Sequence, residues 1–450
     1  QADEIFDFHH YAANNSSCPS IICTGISSEG TLSKVTVINE DNDTTQTFTN
    51  ARGRLILERK INGGVNHDTY HIYDLKDSLV CVVQPIGSSE LHAGKEIIFN
   101  GAFALDSCFT WQYDGKGRVI ESHVPGAGIK RYAYDLRGRL VYMEDSNLIN
   151  AEGHAMYYTY DDLDRPIIEG VCVPRHSIDY IRGALSEGYS ITSLLADSFP
   201  TTTTEYYSNE SSGIPSDLAF KEVSNVVSSD NVDSTRCITF PSYELVMEVP
   251  YFAKRTYPDG KSGTRLVIPH QYIRRAYWYD KKGRMIQKVE KSSDGWTSRY
   301  STKYDFVGNS IATMEAHTSQ FGDTDSLLTI NTYDKRGRLT SYTRTLNGHV
   351  FSPVYYSYDF AGRIKNKQVG ETLSNGTANL LETYSRDIRG WLTNISANTY
   401  TVGQVFSESL EYMSPTLSTS PLFNGNISMM TMDSYNQKTV INTYNYDHLG

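Results

Sequence analysis

Apolar and polar positions alternate along most of this chain in short runs, and one polar string punctuates them. In "YAYDLRGRLVY" (residues 132–142), Tyr132 and Tyr134 lie two apart, a polar stretch follows, and Leu140 and Val141 resume the apolar pattern. Residues two apart share one face of a strand. The same tyrosine pairing recurs at Tyr158 and Tyr160, Tyr277 and Tyr279, Tyr356 and Tyr358, and Tyr444 and Tyr446; Val119 with Ile120 and Met285 with Ile286 repeat the far side. Each copy predicts two strands joined by a tight turn, a β-hairpin.

The string is Y-D-x-x-G-R, and five copies are intact. They are Tyr113, Asp114, Gly117 and Arg118; Tyr134, Asp135, Gly138 and Arg139; Tyr279, Asp280, Gly283 and Arg284; Tyr333, Asp334, Gly337 and Arg338; and Tyr358, Asp359, Gly362 and Arg363. Degenerate copies lie between and around them: "TNARGR" ending at Arg54, "YDLKDS" from Tyr73, "YDDLDR" from Tyr160, "YDFVGN" from Tyr304, "RDIRGW" from Arg386 and "YDHLG" at 446–450. Asp favours the first position of a type I turn because its carboxylate accepts from nearby N–H groups, and Gly favours the last, where a positive φ is needed. The spacing predicts a hairpin tip at x-x, with Tyr134 opposite Arg139. The guanidinium would then lie on the tyrosine ring of its own hairpin, worth about 0.5–1 kcal/mol when exposed. One Tyr/Asp/Arg triplet could be catalytic; five identical ones read as architecture.

The copies group into residues 1–165 and 271–450, separated by a motif-poor stretch, 166–270, that reads as an insertion or a set of diverged hairpins. Within it, "SFPTTTTEYYSNESSGIPSD" (198–217) reads as loop, "SDLAFKEVSNVV" after Pro215 as one short helix capped by Ser216, and "TRCITFPSYELVMEVPYF" (235–252) as strand. After 395 the tyrosine rhythm fades, but Asn-Gly in "FNGNIS" signals another tight turn. About 22 strands side by side would form a ribbon on the order of 100 Å wide. Strand twist does not let an open sheet of that width stay flat, so an all-β fold that winds into a spiral or curved wall is expected.

Composition sharpens this picture. Aromatic residues make up 12% of the chain, with 33 tyrosines against 4 tryptophans, a load suited to strands with a half-wet face. A net charge of −11 argues against nucleic acid or an anionic membrane as partner. No apolar run of 18 residues is present, so no membrane-spanning helix is expected, and the first residues lack the features of a signal peptide. The six cysteines stand at Cys18, Cys23, Cys81, Cys108, Cys172 and Cys237 without a C-x-x-C. That argues against a zinc ribbon; Cys18 and Cys23 are the nearest pair for a disulfide, and buried small apolar residues are the default.

Beyond the frame, "DTYHIYDLKDSLVCVVQP" (68–85), "VPGAGIKRYAYDLRGRLVYMEDSN" (124–147), "RDIRGWLTNI" (386–395) and "FNGNIS" (423–428) carry the pattern. With its repeated hairpin frame the chain resembles the YD-repeat, or RHS-repeat, proteins: bacterial RHS toxins, the C component of insecticidal Tc toxins, and animal teneurins. The resemblance covers nearly the whole chain. It implies a spiralling β-sheet that builds a hollow shell, which in toxin members holds a C-terminal polymorphic domain often freed by self-cleavage. This sequence stops inside a repeat at Gly450, shows neither the terminal core with its cleaving aspartates nor a toxin domain, and offers no position for those catalytic residues.

Other chemistry is weakly signalled. Glu40, Asp41 and Asp43 are oxygen-rich but lack calcium-loop spacing. His9 and His10 beside Asp7 could equally be a terminus, and Asp161, Asp162 and Asp164 sit in a repeat turn. No cofactor or metal is expected. Trp111, Trp278, Trp296 and Trp391 are candidate sugar-stacking groups, with Trp278 and Trp296 the foremost. The expected function is a non-enzymatic YD-repeat scaffold, part of a shell in a secreted or cell-envelope bacterial protein. Its partner would be its own C-terminal core or effector domain where the native chain is longer. The alternative is a surface adhesin or carbohydrate-binding protein that meets glycans or a surface protein through aromatic faces.

Overall fold

The computed structural model describes all residues except 1–4, 12–18, 29, 40–43, 63, 153, 196, 207–213, 234–238, 248–250, 257–261, 268–270, 373–377, 400, 414, 416–421 and 447–450, and backbone alone for 9–11, 151–152, 251–256, 262–267, 371–372 and 378. The fold is nearly all-β, 55% strand and 9% helix, and is built of antiparallel hairpins. It divides into two compact units: Gln1–Pro200 with Val249–Ile268, and Thr201–Glu248 with Pro269–Gly450. The motif-poor stretch 166–270 is therefore shared between the two units and forms no body of its own.

The first unit is a meander. Successive strands from Leu32–Ile38 to Leu79–Val83 pair antiparallel, Leu79–Val83 pairs with Cys108–Tyr113, and the order continues through Val119–Val124, Gly128–Tyr134, Leu140–Asp145, Ala155–Tyr160 and Pro166–Cys172. A smaller sheet of Phe6–Tyr11, Ser20–Ile26 and Glu96–Ile98 stands beside it, and Ile21, Leu57, Tyr70, Val83, Ile97 and Phe99 make a common core. A second core lies where the helix Ile178–Ser186 crosses the meander. Its buried Ile178, Ile181 and Leu185 are spaced three and four apart and meet Ala133, Val141, Tyr142 and Tyr157. Each buried aliphatic contributes about 1.5–3 kcal/mol relative to exposure. Ser177 caps the helix by accepting from the Tyr180 N–H. Arg182 fixes it to the sheet, donating from Nε to the Tyr132 carbonyl (3.1 Å) and from a terminal nitrogen to the Ile120 carbonyl (2.6 Å).

The second unit is also a meander. It runs from Pro241–Met247 and Tyr272–Tyr279 through consecutive antiparallel partners to Met429–Ser434 and Val440–Thr443. Its core gathers at one end. Leu218, Val226 and Val227, from the stretch that joins Tyr206 to Pro241, pack on Trp278, Ile286, Val289 and Ala312. That stretch is held by polar anchors as well. The Gln287 amide, 1% exposed, donates to the Lys221 carbonyl (2.7 Å) and accepts from the Lys221 N–H (2.9 Å) and from Arg299 (2.6 Å). Asp217 accepts from Arg274 (2.6 Å) and Lys291 (3.0 Å).

The predicted helix after Pro215 is a single 3-10 turn, Ser216–Leu218, preceded by Pro215 as its cap. A tight turn bridged from Val223 to Val227, with Asn225 at positive φ, follows it. Asn and β-branched valines on both sides disfavour a continued helix there. Residues 198–206, expected as loop, are instead a strand that pairs antiparallel with 241–247, which lies within the expected strand, and the two make a hairpin of the same series. Glu205 faces Tyr243 and Tyr206 faces Pro241, so residues 207–240 stand where other copies have a two-residue tip.

Candidate functional site

The repeated polar frame brings Asp and Arg side chains together at every intact copy, and it is local in one part and non-local in another. The local part is the turn. Gly138 N–H donates to the Asp135 carbonyl (3.0 Å) and Asp135 N–H to the Arg139 carbonyl (3.0 Å); the same two bonds close the copies at Asp114, Asp280, Asp334 and Asp359. The glycines take φ between +75° and +86°, a region that a β-carbon penalises. One carboxylate oxygen of Asp114 accepts from the Lys116 and Arg118 N–H groups, while the other accepts from Arg118 Nε at 2.7 Å. Asp135, Asp280, Asp334 and Asp359 hold Arg139, Arg284, Arg338 and Arg363 in the same way.

This geometry corrects the expected register. Arg139 faces Asp135, and Tyr134 faces Leu140. The next pair is Ala133 with Tyr142, which leaves Val141 as an extra residue, and the same step follows the turn at Tyr113, Tyr279, Tyr333 and Tyr358. Such a bulge bends its strand and raises the local twist.

The non-local part is the clasp between hairpins. The arginine does not cover the tyrosine of its own copy. Arg118 lies 4.6 Å from the ring centroid of Tyr134, Arg139 4.9 Å from Tyr160, Arg284 4.8 Å from Tyr304, and Arg338 4.5 Å from Tyr358. Arg54 serves Tyr73 likewise at 5.2 Å. Most of the tyrosine hydroxyls reach back to the carbonyl that follows the preceding copy's turn: Tyr134 to Val119 (2.7 Å), Tyr160 to Leu140 (2.8 Å), Tyr333 to Ser310 (2.9 Å) and Tyr358 to Leu339 (2.6 Å). In "RDIRGW" an arginine replaces the tyrosine, and Arg386 donates to the equivalent Ile364 carbonyl at 2.6 Å. The donor is kept although the residue type changes.

Two copies have Asp where glycine is expected, at Asp77 (φ 75°) and Asp164 (φ 62°). Each turns its carboxylate toward the preceding hairpin: Asp77 pairs with Arg52 and Arg54, and Asp164 with Arg137 and Arg139. Of the three aspartates at "YDDLDR", Asp161 closes its turn on Arg165 (2.6 Å) and Asp164 grips the neighbouring copy.

Electrostatics follow the geometry. Burial pushes the Asp114, Asp161 and Asp280 carboxyls upward, but donation from the backbone N–H and guanidinium of Arg118, Arg165 and Arg284 outweighs it and holds them below the ordinary carboxylate range. For Asp334 and Asp359 the backbone N–H of Arg338 and Arg363 is the main cause of the same lowering.

The four tryptophans separate. Trp278 is 6% exposed beneath the Phe220 ring (centroids 5.9 Å apart), so it is a core residue and not a stacking platform. Trp111 stacks on Phe109 and Trp391 packs on Tyr412. Trp296 is 38% exposed and lines a cavity of about 340 Å³ with Met247, Tyr272 and Ile273. Glu40, Asp41 and Asp43 lie outside the described residues, as do the side chains of His9 and His10 and the whole of Cys18 and Cys237. Cys23 is a free, buried thiol, as are Cys81, Cys108 and Cys172. Among the described residues no helix is long and apolar enough to cross a membrane.

No protein-family model and no curated protein matches the chain. Solved structures similar to it are Tc toxin assemblies. A TcdB2–TccC3 complex is 12% identical with a TM-score of 0.34, covering 97% of this chain and 22% of that one. A second TcdB2–TccC3 structure is 14% identical with a TM-score of 0.35 over 97% and 22%. The Photorhabdus luminescens Tc holotoxin pore is 14% identical with a TM-score of 0.35 over 89% and 19%. The chain thus spans about a fifth of the length of the chains it resembles.

Proposed function

We propose that this protein is a non-enzymatic YD-repeat scaffold, a stretch of wall in a secreted or envelope-exposed bacterial assembly. The observation that carries the reading is the use made of the repeated polar groups. In the intact copies the Asp and Arg groups, and nearly all the Tyr hydroxyls, are engaged in closing turns or joining neighbouring hairpins, which leaves them no role as acid, base or nucleophile. The resemblance of the sequence to RHS proteins adds the expectation of a C-terminal core or effector as the enclosed partner. The test is isolation of the native protein from its own cells, with fractionation, intact mass and limited proteolysis. Recovery outside the cytoplasm, together with a second polypeptide segment protected from protease until the repeats unfold, is the expected result. Recovery from the cytosol with no protected segment would overturn it.

A second reading, a glycan-binding surface, is favoured by one observation: exposed Trp296 beside an open cavity. Binding on a glycan array that disappears in Trp296→Ala would support it, and an array with no Trp296-dependent signal would remove it.

A further inference from the structure

Most clasps set a flat group from one hairpin against the tyrosine of the next. Arg54, Arg118, Arg139, Arg284 and Arg338 supply a guanidinium. Where the sequence departs from arginine, other planes take the position. The Trp391 indole lies 5.1 Å from Tyr412 at 41°, and the Phe240 ring stacks on Tyr279 at 5.0 Å and 24°. Two copies carry a short side chain instead. After Ser78 the following tyrosine, Tyr113, packs against the buried core of its unit. After Asn309 the following tyrosine, Tyr333, faces a cavity of about 760 Å³, lined also by Asp305, Asn309, Ile311 and Asn331.

The groups that hold a guanidinium elsewhere are retained here. Tyr333 keeps its hydroxyl bond to the Ser310 carbonyl, so its ring is fixed as in the other copies. Asp305 closes its turn in a modified way: its N–H still donates to the Asn309 carbonyl (2.9 Å), and one carboxylate oxygen accepts from the Gly308 (2.7 Å) and Asn309 (2.8 Å) N–H groups. Its second oxygen, which in intact copies receives the guanidinium, accepts from the neutral Asn309 amide at 2.8 Å. The Asn309 amide oxygen lies 3.6 Å from where a Gly337 β-carbon would sit, much as Arg118 and Arg338 approach Gly138 (3.5 Å) and Gly362 (3.8 Å). An amide reaches that glycine but has no cationic plane to cover the ring.

We propose that the cavity between Asn309 and Tyr333 is a binding site for a guanidinium group, stacked on Tyr333 and paired with Asp305. A guanidinium fits this site better than an ammonium because it is flat, weakly hydrated and able to stack while donating in its own plane. Lys303, Lys335 and Arg336 also line the cavity. Lys303 donates to the Asn225 carbonyl, and the other two are exposed at the hairpin tip. Their charge opposes a cation, so neutralising Lys335 and Arg336 together tightens binding.

The experiment titrates the full chain with methylguanidinium and with methylammonium at constant ionic strength and non-denaturing concentration, read by calorimetry. Saturable methylguanidinium binding is expected, at least ten-fold tighter than methylammonium, and lost in Asn309→Arg, whose own guanidinium fills the site, and in Tyr333→Leu. Asn309→Arg should melt no lower than the parent, which shows that loss of binding is not loss of fold. Absence of saturable binding, equal binding of methylammonium, or unchanged binding in Asn309→Arg would overturn the proposal. A capped Gly-Arg-Gly peptide separates the sources: tighter binding than methylguanidinium assigns the site to an arginine of a polypeptide, and equal binding assigns it to a small guanidine.

Discussion

Each residue of the repeated frame does a different physical job, so substitutions there should differ in kind. Tyr358→Phe removes a hydroxyl donor to the Leu339 carbonyl and keeps the ring under Arg338. It should cost about 0.5–1.5 kcal/mol, the net worth of one hydrogen bond, measured by denaturant unfolding. Tyr358→Leu loses the stacked ring as well and should cost more. Gly138→Val and Gly337→Val place a β-branched residue at φ +86° and +76°, and each should lower the melting temperature. Unchanged melting in both would refute the turn geometry. The lowered turn carboxyls set an acid limit. A carboxyl whose folded value is depressed contributes stability above its unfolded value, about 3.9, and loses it as pH falls toward and through the lower folded value. Unfolding free energy should therefore drop below about pH 4, and Asp280→Asn should flatten that drop while lowering stability at neutral pH; an acid profile unchanged in the variant would argue against the pairing. At this scale much was legible in the sequence. The Asp-to-Gly interval sufficed for the turn because its bonds lie within five residues. The stacking partner was misplaced by one hairpin, because the frame says nothing about which ring a guanidinium meets once the turn aspartate has taken its edge.

At the scale of elements, the hairpins differ in what backs them. Strands of the first unit rest on two cores, and the first strands of the second unit rest on the packed stretch after Tyr206. From Thr324–Tyr333 onward most strand positions are only half-buried, so the ladder and the clasps carry more of the load there. Amide hydrogen exchange should accordingly be slowest in Tyr272–Tyr279 and Met285–Ser292 and faster in Ile364–Thr372 and Gly403–Glu411; equal protection throughout would contradict this. Leu185→Ala should cost about 2–5 kcal/mol by opening a cavity under the helix Ile178–Ser186. Gln287→Leu should cost about 1–3 kcal/mol, since it removes the hydrogen bonds that the buried Gln287 amide makes to the Lys221 backbone and to Arg299. That helix went unpredicted because its three buried positions sit in a short segment flanked by strand patterns. The stretch after Pro215 was over-read as a helix because Ala219, Val223, Val226 and Val227 keep helical spacing, whereas in the fold Leu218, Val226 and Val227 serve the sheet opposite from a 3-10 turn and a tight turn.

For the molecule as a whole, charge sets solution behaviour: a formal −11 at neutral pH and a sequence pI near 5.6 place the solubility minimum at mildly acid pH. Turbidity should peak there, and a peak far from it would imply buried or paired charge beyond the clasps. The sequence by itself determined the all-β class, the hairpin as repeating unit, the turn that closes it and the role of its Asp and Gly. These follow from contacts only a few residues apart, and a short repeated string is enough to specify them. Only the tertiary structure decided that Trp278 is core, that residues 166–270 serve two units, that Tyr and Arg join neighbouring hairpins, and that Asn309 leaves a cavity beside Tyr333. Those outcomes depend on which strand lies next to which, and on the extra residue after each turn that shifts the register. Neither is encoded in the spacing of a single copy.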